Sequence, residues 1–230
     1  MEAVSPFYEK KLECRLCGES FTTTRLRSRF IKIDHYEKDF CPIYQSNEIN
    51  PLLYYINVCP HCGFSYSDDF SRYFPPATKE NLIEKVCSHW VSRDFGKTRS
   101  IQAAIITLKL AAYCADIKKE KKITLAGLYL RIAWLHRMAS QTGEEQRFLK
   151  IAASLYTDAY LSEDIQNTQM SEMKILYLIA ELSYRTGQFD TAVKYFSRII
   201  ERQNTTTERT IVEMARDQWS DLREILKKDA

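Results

Sequence analysis

The sequence predicts an α+β protein that is mainly α: a small zinc-ribbon-like β module followed by tetratricopeptide-like antiparallel helical hairpins. All six prolines and both Cys-x-x-Cys motifs fall within residues 1–76, where short runs of β-branched and aromatic residues alternate with turn formers. After residue 76 the chain contains no proline, and apolar residues recur at helical spacing. We therefore expect a metal-binding module over residues 1–76 and a helical domain over residues 77–230.

Two apolar runs in the first module are predicted to be β-strands. They cover residues 26–33 and 52–58, and turn-forming residues bound both runs. Alternation along such a strand places every second side chain on the same face.

Seven helices are predicted beyond residue 77. Thr78 and Ser100 have the side chains that cap helix N-termini, whereas Gly143 and Gly187 are typical of C-terminal ends. The charged run 118–122 is expected to be an exposed helix end. The expected ranges are about 78–91, 100–118, 124–142, 144–162, 171–186, 189–203 and 206–227.

The clearest repeat signal lies between residues 176 and 203. Its pattern is close to the tetratricopeptide motif, in which small residues let paired helices approach and glycine breaks the turn. Ser183 stands where that motif has tyrosine, and Ile199 replaces its usual alanine, so a generic helical bundle remains the alternative. The matching residues are Leu176, Ala180, Gly187, Phe189, Ala192 and Phe196.

Two Cys-x-x-Cys-Gly motifs, at residues 14–18 and 59–63, predict a metal site. Two thiolates spaced in this way grip one ion from a tight turn, and two such motifs supply the four soft ligands of a structural Zn²⁺ site. A closed shell of four thiolates leaves no open position for catalysis at the metal. A redox motif would instead open a helix in a thioredoxin-like context, which this chain lacks. The predicted ligands are Cys14, Cys17, Cys59 and Cys62.

Cys41 and His61 are the two further residues that bear on this site. Cys41 is interpreted as a buried thiol beside the site, as a fifth thiolate or as a replacement for one motif cysteine, with burial as the favoured alternative. His61, inside the second motif, is interpreted as exposed or as a donor to a ligand. Cys87 and Cys114 lie on apolar helical stripes and are expected in the core.

The spacing of the chain's motifs resembles the bacterial family catalogued as domain of unknown function 2225. The resemblance covers most of the chain and implies a bacterial cytosolic protein with a metal-binding N-terminal module, but it implies no activity. The Asp-Phe-Cys motif recurs in that family, which implies a role for Cys41 at the site. The residues that carry the resemblance are Cys14-x-x-Cys17, Asp39-Phe40-Cys41, Tyr44, Pro51, Tyr54, Val58 to Phe64, Asp69-Phe70 and the stretch from Tyr177 to Arg185.

No motif for enzyme chemistry is present. The chain has no glycine-rich phosphate loop, no nucleophile elbow and no His-Glu-x-x-His helix, and its four histidines are scattered. An enzymatic function would depend on Cys41 as a reactive thiol. We therefore predict a protein that is not an enzyme.

A protein or peptide partner is the favoured prediction, because stacked helical hairpins offer a concave surface on which a partner segment binds. The candidate aromatic residues on this surface are Tyr129, Trp134, Tyr177 and Tyr184, with packing between hairpins as the equal alternative for each. No feature of the sequence specifies an oligomeric state.

Nucleic-acid binding is the alternative prediction. The net charge of +3 argues against a globally basic surface. Locally, however, Arg25, Arg27 and Arg29 alternate and Lys32 ends the run, so on a strand these basic side chains would share a face for phosphate groups.

A cytoplasmic protein without membrane attachment is expected. Residues 1–10 lack the basic and apolar regions of a secretory signal. The most apolar stretch, residues 101–115, is interrupted by Lys109 and is too short to span a bilayer.

Overall fold

The computed structural model describes residues 4–162, 165, 168 and 170–228. In this part of the chain the fold is α+β and mainly α, as predicted, with three antiparallel β-hairpins followed by seven α-helices. The hairpins are β1 (Phe7–Glu13) with β2 (Ser20–Leu26), β3 (Ile33–Tyr36) with β4 (Pro42–Tyr44), and β5 (Asn57–Val58) with β6 (Ser65–Tyr66). The helices are α1 (Thr78–Lys85), α2 (Ile101–Lys118), α3 (Lys122–Met138), α4 (Thr142–Leu161), α5 (Glu172–Arg185), α6 (Phe189–Glu201) and α7 (Arg209–Lys228).

The predicted strand over residues 26–33 is wrong. β2 ends at Leu26 because its partner β1 begins at Phe7, which lies directly opposite Leu26. Beyond that point no strand of the hairpin remains to pair with, and Ser28–Phe30 form a 3-10 turn before β3 begins. The alternation of side chains expected for one continuous strand is therefore interrupted.

The predicted strand over residues 52–58 is also wrong for most of its length. Pro51–Tyr54 form a 3-10 turn, because the Asn50 side chain accepts a hydrogen bond from the Leu52 amide at 2.9 Å and Pro51 suits the first position. Only the two residues of β5 are extended and paired. The apolar side chains of the run are buried, as expected, but most of them belong to a 3-10 turn and not to a strand.

The helix predictions are confirmed in number among the described residues, with differences at some ends. Ser100 caps α2 through its side chain, and Gly187, with a φ of +76°, follows α5. α1 ends at Lys85, six residues earlier than predicted. Gly143 lies inside α4, and Ser140, with a φ of 57°, is the left-handed residue between α3 and α4.

The helices stack in chain order. Each helix from α1 onward packs against the next, and α5 also contacts α7, an arrangement typical of stacked helical hairpins. One hydrophobic cluster includes three of the four motif cysteines, Cys14, Cys59 and Cys62, together with residues of the helix interfaces. None of the helices in the described residues combines the length and the apolar character needed to cross a lipid bilayer.

Lys118 at the end of α2 is buried, whereas the sequence suggested an exposed charged run. Only 1% of its side chain is exposed, and its ammonium group pairs with Glu120. The same group donates to the carbonyls of Ser71 and Tyr73, each at 2.8 Å. These contacts fix the segment that follows β6 onto the helical domain.

The β3–β4 hairpin inserts its tip, residues 37–41, against the helices. Asp39 is fully buried there, and its Oδ2 accepts hydrogen bonds from Nε1 of Trp134 at 3.0 Å and from Nη2 of Arg137 at 2.6 Å, both on α3. Arg185 of α5 lies 3.9 Å from the other carboxylate oxygen. The hairpin tip is therefore joined to two helices by a buried ion-pair network.

Two neighbours of Asp39 extend these contacts. The ring of Phe40 packs against Tyr177 of α5, with ring centres 5.4 Å apart, and the ammonium of Lys38 donates to Gln218 of α7 at 2.8 Å. The tip thus contacts α3, α5 and α7. Trp134 and Tyr177, for which a partner-binding surface and internal packing were equal alternatives, contact the chain's own β3–β4 hairpin.

Candidate metal centre

The two Cys-x-x-Cys-Gly motifs form the turns of two β-hairpins. The first joins β1 to β2 and the second joins β5 to β6. The same hydrogen bond closes each turn, from Gly18 to the Cys14 carbonyl at 3.0 Å and from Gly63 to the Cys59 carbonyl at 2.9 Å. Both glycines have positive φ, +79° and +76°, which a residue without Cβ adopts freely.

The two turns bring four thiols together. Their sulfur atoms all lie within 4.8 Å of one another, and none forms a disulfide. Sγ of Cys14 lies 3.6 Å from that of Cys62, and Sγ of Cys17 lies 3.7 Å from that of Cys59. A tetrahedral ion with metal–sulfur bonds of about 2.3 Å separates its ligand sulfurs by about 3.8 Å. The dimensions and the soft donors of this thiol cluster therefore fit one metal ion.

The contact between the Cys14 and Cys62 thiols shifts their pKa values in opposite directions. The hydrogen bond with Cys62 lowers the pKa of Cys14 to about 5, and the same bond raises the pKa of Cys62. Burial raises the pKa of Cys59 to about 12. A bound divalent cation would favour the thiolate forms of these cysteines, because metal binding displaces their protons.

Trp90 covers the second motif, a contact that the sequence analysis missed. Its indole Nε1 donates to the Pro60 carbonyl at 2.9 Å, and its ring lies so close to Gly63 that an added Cβ would meet ring carbons at 2.5 Å. Cys87 lies in the 3-10 turn just before it, not on a helical stripe. Burial raises the pKa of Cys87, and a hydrogen bond with the Cys62 thiol partly offsets that rise.

The contact with Trp90 makes Gly63 the less replaceable of the two motif glycines. Gly63→Ala is expected to lower the free energy of unfolding by about 3 kcal/mol, because it combines left-handed strain with a clash against the indole. Gly18→Ala is the matched control: its φ is equally positive, but an added Cβ would meet nothing within 4 Å. Strain alone should cost this control about 1 kcal/mol. Urea unfolding of both variants measures the difference, and equal losses would contradict the role of Trp90.

Cys41 lies outside the thiol cluster. It is fully buried in the hairpin tip, where its neighbours are the charged groups of Asp39, Arg137 and Arg185. Burial raises the pKa of Cys41 to about 12, which is typical of an unreactive thiol. The structure therefore argues against Cys41 as a fifth or replacement ligand and agrees with the burial alternative. His61 is exposed within the second motif's turn.

The basic residues proposed for nucleic acid do not share one strand face. Arg25, at the end of β2, is mostly buried, and its Nη2 donates to Oδ1 of Asn57 at 2.7 Å. Arg27 and Arg29 are exposed at the 3-10 turn, and Lys32 is exposed beyond it. The expectation of a continuous basic strand is wrong because β2 ends at Leu26, before Arg27, Arg29 and Lys32.

A bacterial family described as "Uncharacterized protein conserved in bacteria (DUF2225)" matches residues 7–222. This match begins in β1 and ends in α7, so it includes the thiol cluster and the helical hairpins. No curated protein and no solved structure matches the chain.

Proposed function

The chain belongs to this bacterial DUF2225 family, and we propose that it is a non-enzymatic protein-interaction adaptor whose four-cysteine cluster holds a structural Zn²⁺ ion. The observation that carries the proposal is the convergence of four thiols, three of them on buried residues, at the junction of two hairpins. The adaptor part rests on an open groove elsewhere in the helical domain.

Zinc is the metal that best suits this donor set. Zn²⁺ takes four thiolates in tetrahedral geometry, and such a closed shell has a structural role. β5 and β6 have two residues each, too few to be stable as an isolated hairpin. When bound, the ion supplies the positive charge that holds the thiolates together. The chain's cysteines then cross-link this short hairpin to the longer β1–β2 hairpin.

The adaptor part of the proposal is supported by the α2–α4 groove, a cleft of about 610 Å³ between helices α2, α3 and α4. Tyr113 lies on its rim with half of its surface exposed, and Tyr129, one of the predicted aromatic residues, lines it. Lys109, Lys150 and Asp116 also line the groove, so its charged side chains are positive on balance. The other apolar residues that line it are Ala112, Leu125, Ile151 and Leu155. An amphipathic helix with acidic flanks is the partner segment that suits this combination.

Replacement of Tyr113 is expected to abolish partner binding. Tyr113→Glu places a charge on the apolar rim, so tagged protein carrying it should lose a protein that the native chain retains from bacterial lysate in chelator-free buffer. Tyr73→Glu is the matched control, since Tyr73 is 67% exposed and lies outside the groove. Retention of the partner by the control and its loss from Tyr113→Glu would support the adaptor. Equal retention by both variants would contradict the groove's role.

Nucleic-acid binding is the second candidate function. It is favoured by the exposed guanidinium of Arg27, which stacks on the partly exposed ring of Tyr8, 5.1 Å from its centre, with Arg29 nearby. Treating half of the lysate with nuclease separates the two functions. Bound material that disappears with nuclease would support the nucleic-acid alternative, whereas a partner that survives would support the adaptor.

A further inference from the structure

A cavity of about 530 Å³ lies where the β3–β4 hairpin meets the helices. The hairpin and the 3-10 turn Pro51–Tyr54 form one side, and α3, α4 and α5 supply the other. Its size is that of a small-molecule site, and six of the fifteen residues that line it are aromatic. The aromatic side chains are Tyr36, Phe40, Tyr44, Tyr55, Trp134 and Tyr156.

Arg131 on α3 brings an uncompensated positive charge to this cavity. Its guanidinium carbon lies 4.1 Å from the centre of the Tyr55 ring, and Nη1 donates to the Gly127 carbonyl at 2.8 Å. No carboxylate within the described ranges pairs with it. A guanidinium has five N–H donors, so most of those of Arg131 remain available to a ligand.

Lys174 on α5 brings a second positive charge. Its ammonium group lies over the ring of Phe40, 4.6 Å from the ring centre. Among the residues that the structure describes, this ammonium has neither a carboxylate partner nor a hydrogen-bond acceptor. The aromatic ring orients the cation but does not neutralise it.

The carboxylate that lines the cavity does not compensate these charges. Asp39 is already engaged by Trp134 and Arg137, with Arg185 close to it. The cavity is therefore an aromatic site with an excess of positive charge, and partial burial strengthens the attraction of such a site for anions.

We propose that this cavity binds a small organic anion, a molecule with a flat apolar body and one carboxylate or phosphate group. The aromatic side chains would pack against the body, and Arg131 and Lys174 would hold the anionic group. This site is separate from the thiol cluster and from the α2–α4 groove, so the inference stands independently of the proposed function.

The test compares two fluorescent probes that share an aromatic skeleton, using the full-length, metal-loaded protein. Anilinonaphthalene sulfonate has an anionic group, and phenylnaphthylamine lacks it. The native protein is expected to bind one sulfonate probe per chain, about tenfold more tightly than the neutral probe. Equal affinity for the two probes would overturn the proposal.

Single-residue variants locate the binding. Lys174→Gln and Arg131→Gln should each weaken binding of the anionic probe about tenfold and leave that of the neutral probe unchanged. Lys174→Arg should retain binding, because it keeps the charge. Lys194→Gln is the matched control, since Lys194 lies over the ring of Tyr195 outside the cavity. Unchanged melting temperature and metal content show that each variant is folded, and wild-type affinity in both glutamine variants would overturn the assignment.

Competition then identifies the anionic group. Phenyl phosphate and benzoate are expected to displace the sulfonate probe, and the stronger competitor distinguishes a phosphate ligand from a carboxylate ligand. Displacement by neutral phenol at the same concentration would contradict the requirement for charge.

Discussion

A Cys62→Ser variant is expected to lose its metal ion and much of the stability of the β module. A serine hydroxyl stays protonated at neutral pH, so three thiolates would remain where tetrahedral Zn²⁺ needs four donors. Metal analysis after dialysis should fall from about one zinc ion per chain to about zero, and the free energy of unfolding by about 4 kcal/mol or more. We choose Cys62 for this substitution because it is buried and contacts Cys14 of the other motif.

Two other cysteines provide controls for this prediction. Cys114 is equally buried but lies outside the thiol cluster, and Cys87 contacts Cys62 without completing the tetrahedron. Cys114→Ser and Cys87→Ser should both retain zinc. Wild-type metal content and stability in Cys62→Ser would disprove the structural-zinc proposal. Loss of metal from Cys87→Ser would show instead that the ligand set was chosen wrongly.

An Asp39→Asn variant is expected to release the β3–β4 hairpin from the helices. The substitution keeps the size of the side chain but removes the charge that Arg137 and Arg185 share. Arg137 keeps its ion pairs with Glu37 and Glu145, and Arg185 keeps those with Glu37 and the buried Glu181. Breaking a buried ion pair from one side costs about 3–5 kcal/mol, and because both arginines keep other carboxylate partners we expect a loss at the lower end of this range. Urea unfolding measures this loss, and the indole N–H resonance of Trp134, whose hydrogen bond Asp39 accepts, reports whether the hairpin remains docked.

Asp34→Asn is the control for the same hairpin. Asp34 is 58% exposed and pairs only with His35 among the described residues, so its replacement should change stability by less than about 1 kcal/mol. Equal effects of the two substitutions would contradict a special role for the buried carboxylate.

The same network predicts acid sensitivity. Burial alone would raise the pKa of Asp39, but the hydrogen bond from Arg137 and the charge of Arg185 lower it below its ordinary value. The stabilisation is therefore complete above about pH 4, the ordinary pKa of aspartate, and is lost as the pH falls through the lowered pKa. Urea unfolding at decreasing pH should show a larger loss of stability in the native protein than in Asp39→Asn, because the other paired carboxylates are protonated in both.

The helical half was predictable because its signals are local. A helix is specified by apolar residues three and four positions apart and by capping groups within one turn, so Ser100 and Gly187 mark ends that the structure retains. Where these local signals were weak, the observed helix ends differ from the predicted ones, as at the end of α1 and around Gly143.

The strands were less predictable because pairing is not local. Residues 26–33 have strand-like composition, but β2 can extend only as far as β1 offers a partner. Residues 52–58 are more apolar, yet the Asn50 cap and the following proline turn the chain instead. For residues 52–58, the composition correctly predicted that the side chains are buried but wrongly predicted that the backbone forms a strand.

The sequence by itself determined the helical stack and the four thiols, because periodicity and the Cys-x-x-Cys-Gly turns are encoded within a few residues. Only the tertiary structure decided which side chains of those elements contact one another. Trp90 covers the second motif, Asp39 joins the hairpin tip to the helices, and Arg131 and Lys174 come to one cavity. These contacts join residues about 30 to 140 positions apart, and such pairings depend on how the elements pack, which no local pattern specifies.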